Sequence, residues 1–261
     1  MTISLDELRQ RRAFICDMDG VIYHGNHLLP GVTEFLDWLH REDKRFLFLT
    51  NSSERSPREL KEKLRRLGVE VEESHFYSSA LATAAFLAQQ CPGGSVFAIG
   101  EAGLITALYD AGFSINDINP DYVVIGETRS YSYEKIAKAV QLVRSGAKLI
   151  GTNPDLTAPS EKGIIPATGA LTAPIELATE SKAYFLGKPN PLMMRHALKK
   201  LGCQREETAI VGDRMDTDII AGIESEIDTV LVLSGVTSEA DLNRFAYRPH
   251  YVLSGIGELV P

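Results

Sequence analysis

Short apolar runs alternate with amphipathic segments along most of the chain. Runs of four to seven residues with few polar positions are typical of parallel strands that are covered on both faces. Between them lie segments whose apolar residues recur every three or four positions, which predicts helices. The strand candidates are residues 13–16, 45–50, 95–100, 121–126, 147–152, 208–213 and 229–235, with a shorter one at the start of 184–189. This alternation predicts βαβ units and an α/β fold with parallel sheets.

Local signals set the ends of several predicted helices. Residues 31–41 have helical apolar spacing, and a serine followed by Pro57 predicts the start of a helix that stops at Gly68. Residues 153–169 are rich in Pro, Gly, Thr and Asn and predict a long irregular loop, a kind of segment that often carries function. The next helix is predicted to be capped near Thr172.

Charge and cysteine content exclude several classes of protein. A net charge of −8 over 261 residues argues against general nucleic-acid binding, although a few local cations suffice for one phosphate group. The three cysteines lie far apart, so neither a disulfide framework nor a zinc site is indicated. No apolar run approaches the roughly 20 residues of a membrane span, and the N-terminal residues lack the apolar stretch of a signal peptide. We therefore expect a cytoplasmic protein that binds neither nucleic acid nor membranes.

Four predicted strands end in polar residues that suit phosphate or metal chemistry. These segments read ICDMDG, FLFLTNSS, FLGKPNP and AIVGDRMDTD. Because sites in open parallel sheets form at the carboxyl ends of strands, the four ends are expected to converge on one cleft. Taken singly, each segment is more simply a turn or a helix cap. Their order and shared position favour a site.

Asp17 and Asp19 raise a specific question, because two like charges follow what reads as a buried strand. In an extended strand, side chains two residues apart point to the same side. The two carboxylates are therefore expected to face one cleft, with a positive charge between them.

In this order, DMDG, Thr50-Asn51, GKPNP and GDRMDTD resemble the haloacid dehalogenase superfamily, and most closely its NagD-like branch of phosphatases. The resemblance extends over nearly the whole chain and includes LLPGVTEFLDWL, TNPDLTAP, GALTAPIEL and TVLVLSGVTSEADL. It departs at TNSS, where TNN is more frequent, and at Ser225-Glu226, where an Ala-Gly pair is common. Since that glycine would end a helix, Glu226 is expected to cost local stability or to stop the helix differently.

The resemblance implies a Rossmann-like parallel-sheet core with an inserted α/β cap domain of the C2 type. The core would comprise residues 1–80 and 182–261, and the cap would comprise residues 81–181. Loop 153–162 would be the candidate for substrate selection, with an ordinary surface loop as the alternative. Homo-oligomers could form through the cap, although no residue here requires it.

The resemblance also implies a reaction. Asp17 would be the nucleophile that forms an aspartyl-phosphate, and Asp19 would protonate the leaving oxygen and then activate water. Thr50, Asn51 and Lys188 would bind the substrate phosphate, and Lys188 would also offset the charge of the nucleophile.

A Mg²⁺ ion would be the cofactor, because this hard cation prefers oxygen ligands. Asp17, the backbone carbonyl of Asp19 and Asp213 would hold the ion, and Asp218 would orient these ligands. The implied function is Mg²⁺-dependent hydrolysis of a small phosphomonoester such as a nucleotide or sugar phosphate. Transfer of the phosphoryl group to another acceptor, as in mutases, and a non-catalytic member that binds phosphorylated metabolites are the alternatives.

Overall fold

The computed structural model describes residues 4–160 and 163–261, and the chain forms two compact units within it. We call Met1–Thr50, Lys61–Tyr77 and Lys188–Pro261 the core unit, and Asn51–Leu60 with Ser78–Gly187 the insert unit. The insert unit overlaps the predicted cap, and the cap bounds at residues 81–181 stay a prediction. Two of its boundaries fall directly at predicted site residues, after Thr50 and before Lys188.

The strands follow the predicted apolar runs closely and include several short ones that the pattern does not reveal. In chain order they are β1 (Ala13–Cys16), β2 (Tyr23–His24), β3 (His27–Leu28), β4 (Arg45–Thr50), β5 (Phe76–Ser78), β6 (Ser95–Ile99), β7 (Ser114–Ile115), β8 (Tyr122–Ile125), β9 (Lys148–Gly151), β10 (Thr157–Ser160), β11 (Gly163–Pro166), β12 (Tyr184–Phe185), β13 (Thr208–Gly212), β14 (Asp228–Val232) and β15 (Tyr251–Leu253).

The helices occupy the segments between these strands. They are α1 (Leu5–Arg9), α2 (Val32–Arg41), α3 (Pro57–Arg66), α4 (Ser79–Gln90), α5 (Ala102–Asp110), α6 (Tyr133–Arg144), α7 (Thr168–Thr179), α8 (Pro191–Leu201) and α9 (Ile220–Glu224). A π-helical turn, Met215–Ile219, leads directly into α9. In the described part of the chain, no helix combines the length and the apolar character that crossing a membrane requires.

The core unit is built on a six-stranded sheet in the order β15-β14-β13-β1-β4-β5. Strand β1 lies between β13 and β4 and pairs in parallel with both, and all four of its residues are buried. Helix α2 covers this strand with aromatic side chains. Phe35 and Trp38 pack edge-on against Phe14, with ring centroids 5.9 and 5.5 Å apart. The strand that leads into Asp17 is therefore rigidly held at the centre of the sheet.

The insert unit has its own five-stranded parallel sheet in the order β12-β9-β8-β6-β7. Helices α6 and α7 pack on this sheet over an apolar cluster that comprises Ile99, Val123, Ile125, Ala139, Leu142, Val143, Leu149, Leu171 and Ile175. Two separate parallel sheets thus confirm the predicted α/β fold class.

The segment predicted as a long irregular loop contains an antiparallel pair of strands instead, and residues 161 and 162, at the end of the predicted selection loop 153–162, lie outside the described residues. Strands β10 and β11 pair with Thr157 opposite Pro166, so part of residues 153–169 is regular. Helix α7 begins at Thr168, not near Thr172. The Thr172 hydroxyl donates to the Thr168 carbonyl at 2.7 Å within the helix, so its position reflects bonding to the previous turn and not a cap.

The departure at Ser225-Glu226 has a visible consequence. Helix α9 ends at Glu224, and Glu226 adopts a left-handed conformation with φ of 56°. Glycine is favoured at such a position because it has no Cβ. Here the Glu226 carboxylate pairs with the guanidinium of Arg205. A residue with a Cβ thus occupies a left-handed position just after the helix, and the expected cost in local stability stays a prediction.

Candidate active site

Three neighbouring strands of the core sheet end at predicted site residues. Asp17 follows β1, Thr50 ends β4, and Asp213 follows β13. The Asp17 amide continues the ladder by donating to the Val211 carbonyl at 2.8 Å. Because β13, β1 and β4 are adjacent and parallel, their carboxyl ends lie at one edge of the sheet.

The Lys188 side chain lies at the carboxyl ends of β1 and β4 and is only 2% exposed. Its Nζ donates to Asp17 Oδ1 at 2.5 Å, to Asp218 Oδ1 at 2.6 Å and to the Leu49 carbonyl at 3.1 Å. A buried ammonium is costly unless it is paired and hydrogen-bonded, and these contacts meet both conditions. Lys188 therefore contacts the predicted nucleophile directly.

Asp218 is fully buried and is held by the π-helical turn that follows Asp213. Its Oδ1 accepts from Lys188, and its Oδ2 accepts from the Arg214 amide at 3.2 Å and the Thr217 hydroxyl at 3.3 Å. Both carboxylate oxygens are thus engaged by protein donors. This arrangement suits a residue that orients its neighbours more than one that binds a ligand directly.

Asp213 is engaged on one side only. Its Oδ2 accepts from the Val236 amide at 2.7 Å, whereas its buried Oδ1 has no hydrogen-bond partner within the described residues. Two glycines press against the carboxylate. A Cβ atom on Gly20 would lie 2.5 Å from Asp213 Oδ2, and one on Gly235 would lie 2.0 Å from it. No side chain fits at either position without moving the aspartate.

The carboxylates and Lys188 influence each other's protonation. Burial raises the pKa of Asp17 well above its usual range; Lys188 opposes this shift, and Asp218 and Asp213 reinforce it. Burial and the charge of Asp218 raise the pKa of Asp213 to about 7. Burial disfavours the charged form of Lys188, but Asp17 and Asp218 outweigh this effect, so the pKa of its ammonium is raised.

The donor set fits a divalent cation. Asp17, Asp213 and Asp218 each offer a carboxylate oxygen, and these atoms lie within 4.8 Å of one another. When all three carboxylates are ionised, they exceed the single ammonium of Lys188 by two negative charges in a largely buried cluster. Burying such an excess is unfavourable without a counter-charge. A bound divalent ion would explain both the excess of negative charge and the Asp213 Oδ1 atom that has no hydrogen-bond partner in the described residues.

Asp19 lies in a turn and not in the strand. Strand β1 ends at Cys16, and Asp19 forms an isolated bridge with Tyr23. Gly20 follows with φ of +80°, and its amide donates to the Tyr23 carbonyl at 2.8 Å. The alternation rule assumed that the strand continues to Asp19, whereas β1 ends at Cys16, so the shared direction of the two carboxylates stays a prediction.

Thr50 and Asn51 are consecutive but belong to different units. Thr50 ends β4 and is 8% exposed. Asn51 begins the insert unit, where its side-chain amide donates to Asp155 Oδ2 at 3.0 Å. The core unit thus brings together Asp17, Lys188, Asp213 and Asp218, whereas the amide group of Asn51 is engaged within the insert.

Residues 234–237 belong to the site but were not among the predicted residues. The Val236 amide binds Asp213, the Ser234 hydroxyl donates to the Gly20 carbonyl at 2.7 Å, and the Thr237 hydroxyl accepts from the Met215 amide at 3.3 Å. The sequence does offer one signal for them, because the SGVT stretch follows β14 just as the other site residues follow their strands. A hydrogen bond made by a main-chain group does not require a particular side chain. The sequence therefore gives no specific signal for these contacts.

Comparison with known proteins supports a family assignment. The sequence model of the family described as haloacid dehalogenase-like hydrolase matches residues 14–114, and that described as HAD-hydrolase-like matches residues 185–259. The chain is 44% identical over 247 residues to dihydroxyacetone phosphatase of Corynebacterium glutamicum, which covers 95% of this chain and 90% of that protein.

Two further relatives agree. Ribonucleotide monophosphatase NagD of Escherichia coli K12 is 43% identical over 245 residues, which covers 94% of this chain and 96% of that protein. The crystal structure of 4-nitrophenylphosphatase from Thermotoga maritima superposes with a TM-score of 0.93 at 37% identity, over 97% of each chain. Similarity over nearly the full length, together with the buried acidic cluster, places this chain in the NagD family of haloacid dehalogenase-like hydrolases, as a small-molecule phosphatase.

Proposed function

We propose that the chain hydrolyses a small phosphomonoester in a Mg²⁺-dependent reaction that passes through an aspartyl-phosphate on Asp17. The contact between Asp17 Oδ1 and Lys188 Nζ is the observation that carries this proposal. A carboxylate that attacks a phosphate meets electrostatic repulsion, and a buried ammonium at 2.5 Å reduces it on the attacking side. The relatives are named as phosphatases, which favours hydrolysis over phosphoryl transfer or binding without turnover.

Asp19 would act as the acid and base. It follows the nucleophile by two residues in the turn closed by Gly20, within the same core unit. In this role it would protonate the leaving oxygen and later take a proton from the water that attacks the acyl phosphate. The phosphoryl group would be bound by Lys188, the Thr50 hydroxyl and Asn51, as predicted.

Mg²⁺ would be held by Asp17, Asp213 and the backbone carbonyl of Asp19. Asp213 offers a buried oxygen without a hydrogen-bond partner in the described chain, whereas both oxygens of Asp218 accept from protein donors. Asp218 would therefore fix Lys188 and the turn after Asp213. When bound, the ion would supply positive charge to the phosphate and the nucleophile.

The substrate would be a small phosphorylated metabolite. One relative is named for dihydroxyacetone phosphate hydrolysis, another for ribonucleotide monophosphates and a third for 4-nitrophenyl phosphate. The insert unit would act as the cap, and loop 153–162 would contribute to selection through its exposed part. Leu156 is 66% exposed in this loop, whereas Asn153 is fully buried. A cytoplasmic location and assembly through the cap stay predictions.

A phosphate-release screen over sugar phosphates, nucleotides and 4-nitrophenyl phosphate tests the proposal. Asp17→Asn keeps the size of the side chain but removes the nucleophile, so we expect no release above background for any substrate. Asp216→Asn is the matched control, because Asp216 is an exposed aspartate that pairs with Arg214. Wild-type turnover by a folded Asp17→Asn protein would show the mechanism to be wrong. Release that persists in EDTA would remove the metal.

A further inference from the structure

The segment that follows Thr50 is fixed by side chains of the insert unit. The Asn51 carbonyl accepts two hydrogen bonds, from the Ser79 hydroxyl at 2.5 Å and from Asn153 Nδ2 at 2.8 Å. Ser79 and Asn153 are both fully buried. A main-chain carbonyl held from two directions by buried donors has little rotational freedom.

Asn153 is itself held on every side. Its Nδ2 also donates to the Thr168 hydroxyl at 3.2 Å, and its Oδ1 accepts from the Asp155 amide at 3.1 Å. These partners determine which end of the amide faces Asn51, since a flipped amide would place an oxygen against the carbonyl. The side chain is thus a pre-set donor and not an adaptable surface group.

The same residue packs against the place where the chain leaves the insert unit. The Gly187 amide donates to the Thr152 carbonyl at 2.7 Å. A Cβ atom on Gly187 would lie 2.7 Å from Asn153 Cβ and 2.7 Å from Asn51 Oδ1. Asn153 therefore contacts the residue after Thr50 and the residue before Lys188.

We propose that Asn153 is a positioning residue for the phosphatase reaction, which fixes the Asn51 carbonyl and through it the main chain that presents Thr50. The carbonyl of Asn51 and the amide of Ser52 share one peptide plane and point in opposite directions. Holding the carbonyl therefore also sets the direction of that amide. The role rests on the proposed phosphate-binding function of Thr50.

Asn153→Asp is the main test, because it keeps the size of the side chain and removes both donor protons. We measure kcat, KM for 4-nitrophenyl phosphate and the inhibition constant Ki of inorganic phosphate. Loss of one buried hydrogen bond to the main chain predicts that KM and Ki rise about tenfold. Ser79→Ala removes the other donor and should raise both constants in the same direction, and it carries the test if Asn153→Asp does not fold.

Thr172→Val is the matched control. It deletes a fully buried hydroxyl of the insert unit that bonds to a helix carbonyl, and it leaves the Asn51 contacts intact. We expect a lower melting temperature with unchanged KM and Ki. Equal changes in KM and Ki for Thr172→Val and Asn153→Asp would mean a merely structural role and would overturn the proposal.

A double-mutant cycle with Thr50→Val separates this inference from the proposed function. If Asn153 acts through Thr50, the double variant loses little more phosphate affinity than Thr50→Val alone. If the losses of phosphate affinity in the two single variants multiply fully in the double variant, the inference is overturned while the role of Thr50 stands. Wild-type KM and Ki in both Asn153→Asp and Ser79→Ala would overturn it as well. Unchanged Ki in Thr50→Val would instead refute the phosphate-binding role of Thr50, and the positioning role with it.

Discussion

Replacing Glu127 with glutamine removes a negative charge from the insert unit with little change in size. Glu127 follows β8, and its Oε2 accepts from the Ser52 hydroxyl at 2.7 Å and from the Ser53 amide at 3.3 Å. The Ser53 hydroxyl in turn accepts from the Glu127 amide at 3.0 Å. A glutamine oxygen can accept the same hydrogen bonds, so the perturbation is chiefly electrostatic.

The effect should depend on pH. Burial raises the pKa of Glu127 from 4.5 to about 7, reinforced by the charges of Glu54 and Asp155 and opposed by the hydrogen bonds from Ser52 and Ser53. Between these two pH values the folded state binds more protons than the unfolded state, so the stability contribution is present below pH 4.5 and is lost as pH rises through 7. A shift of this size corresponds to about 3 kcal/mol at most.

Thermal unfolding followed by circular dichroism at pH 5 and pH 8 measures this contribution. Relative to wild type, Glu127→Gln should change little at pH 5 and should raise the melting temperature by about 5 to 10 °C at pH 8. Glu34→Gln, on the exposed face of α2, is the control and should behave like wild type at both pH values. If the melting temperatures of Glu127→Gln and wild type differ by the same amount at pH 5 and pH 8, the reasoning is refuted.

Three further predictions concern the candidate active site and the segment proposed to select the substrate. Lys188→Met leaves the buried carboxylates of Asp17 and Asp218 unpaired, so urea unfolding should show a loss of about 3 kcal/mol or more and phosphate release should fall at least about a hundredfold; a stable, active variant would contradict this. Saturating Mg²⁺ should raise the melting temperature of wild type by several degrees but not that of Asp213→Asn, and equal shifts would remove Asp213 from the metal site. Replacing the exposed Leu156 by serine should reorder a substrate panel without lowering the melting temperature, and an unchanged order would place selectivity elsewhere.

The sequence predicted the central strands well because burial on both faces demands uninterrupted apolar runs. Strands β1 and β4 have the predicted bounds, Ala13–Cys16 and Arg45–Thr50. It did not predict the β10–β11 hairpin, where Thr, Ala, Pro and Gly give no alternation and the exposed Ile164 resembles a loop residue. The two-residue strand β7 is likewise too short to show a period, whereas the short strand predicted at the start of 184–189 is present as β12.

The candidate site could be predicted where its function requires a distinctive side chain. Asp17, Lys188, Asp213 and Asp218 come together as strand-end carboxylates and an ammonium, and each residue type signals its chemistry. The contacts of Asn51 could not be predicted, because its partners Asp155 and Asn153 lie in a stretch rich in Pro, Thr and Asn that reads as an ordinary polar loop. Only the folded insert brings those residues together.

The two glycines against Asp213 have a consequence for mutational tolerance. Gly20 and Gly235 carry no chemistry, yet a single methyl group at either position would collide with the Asp213 carboxylate. In a saturation library selected for phosphate release, we expect both positions to accept as few substitutions as the aspartates themselves. A library that varies only charged and polar residues would therefore overlook two positions at which substitutions are expected to abolish activity.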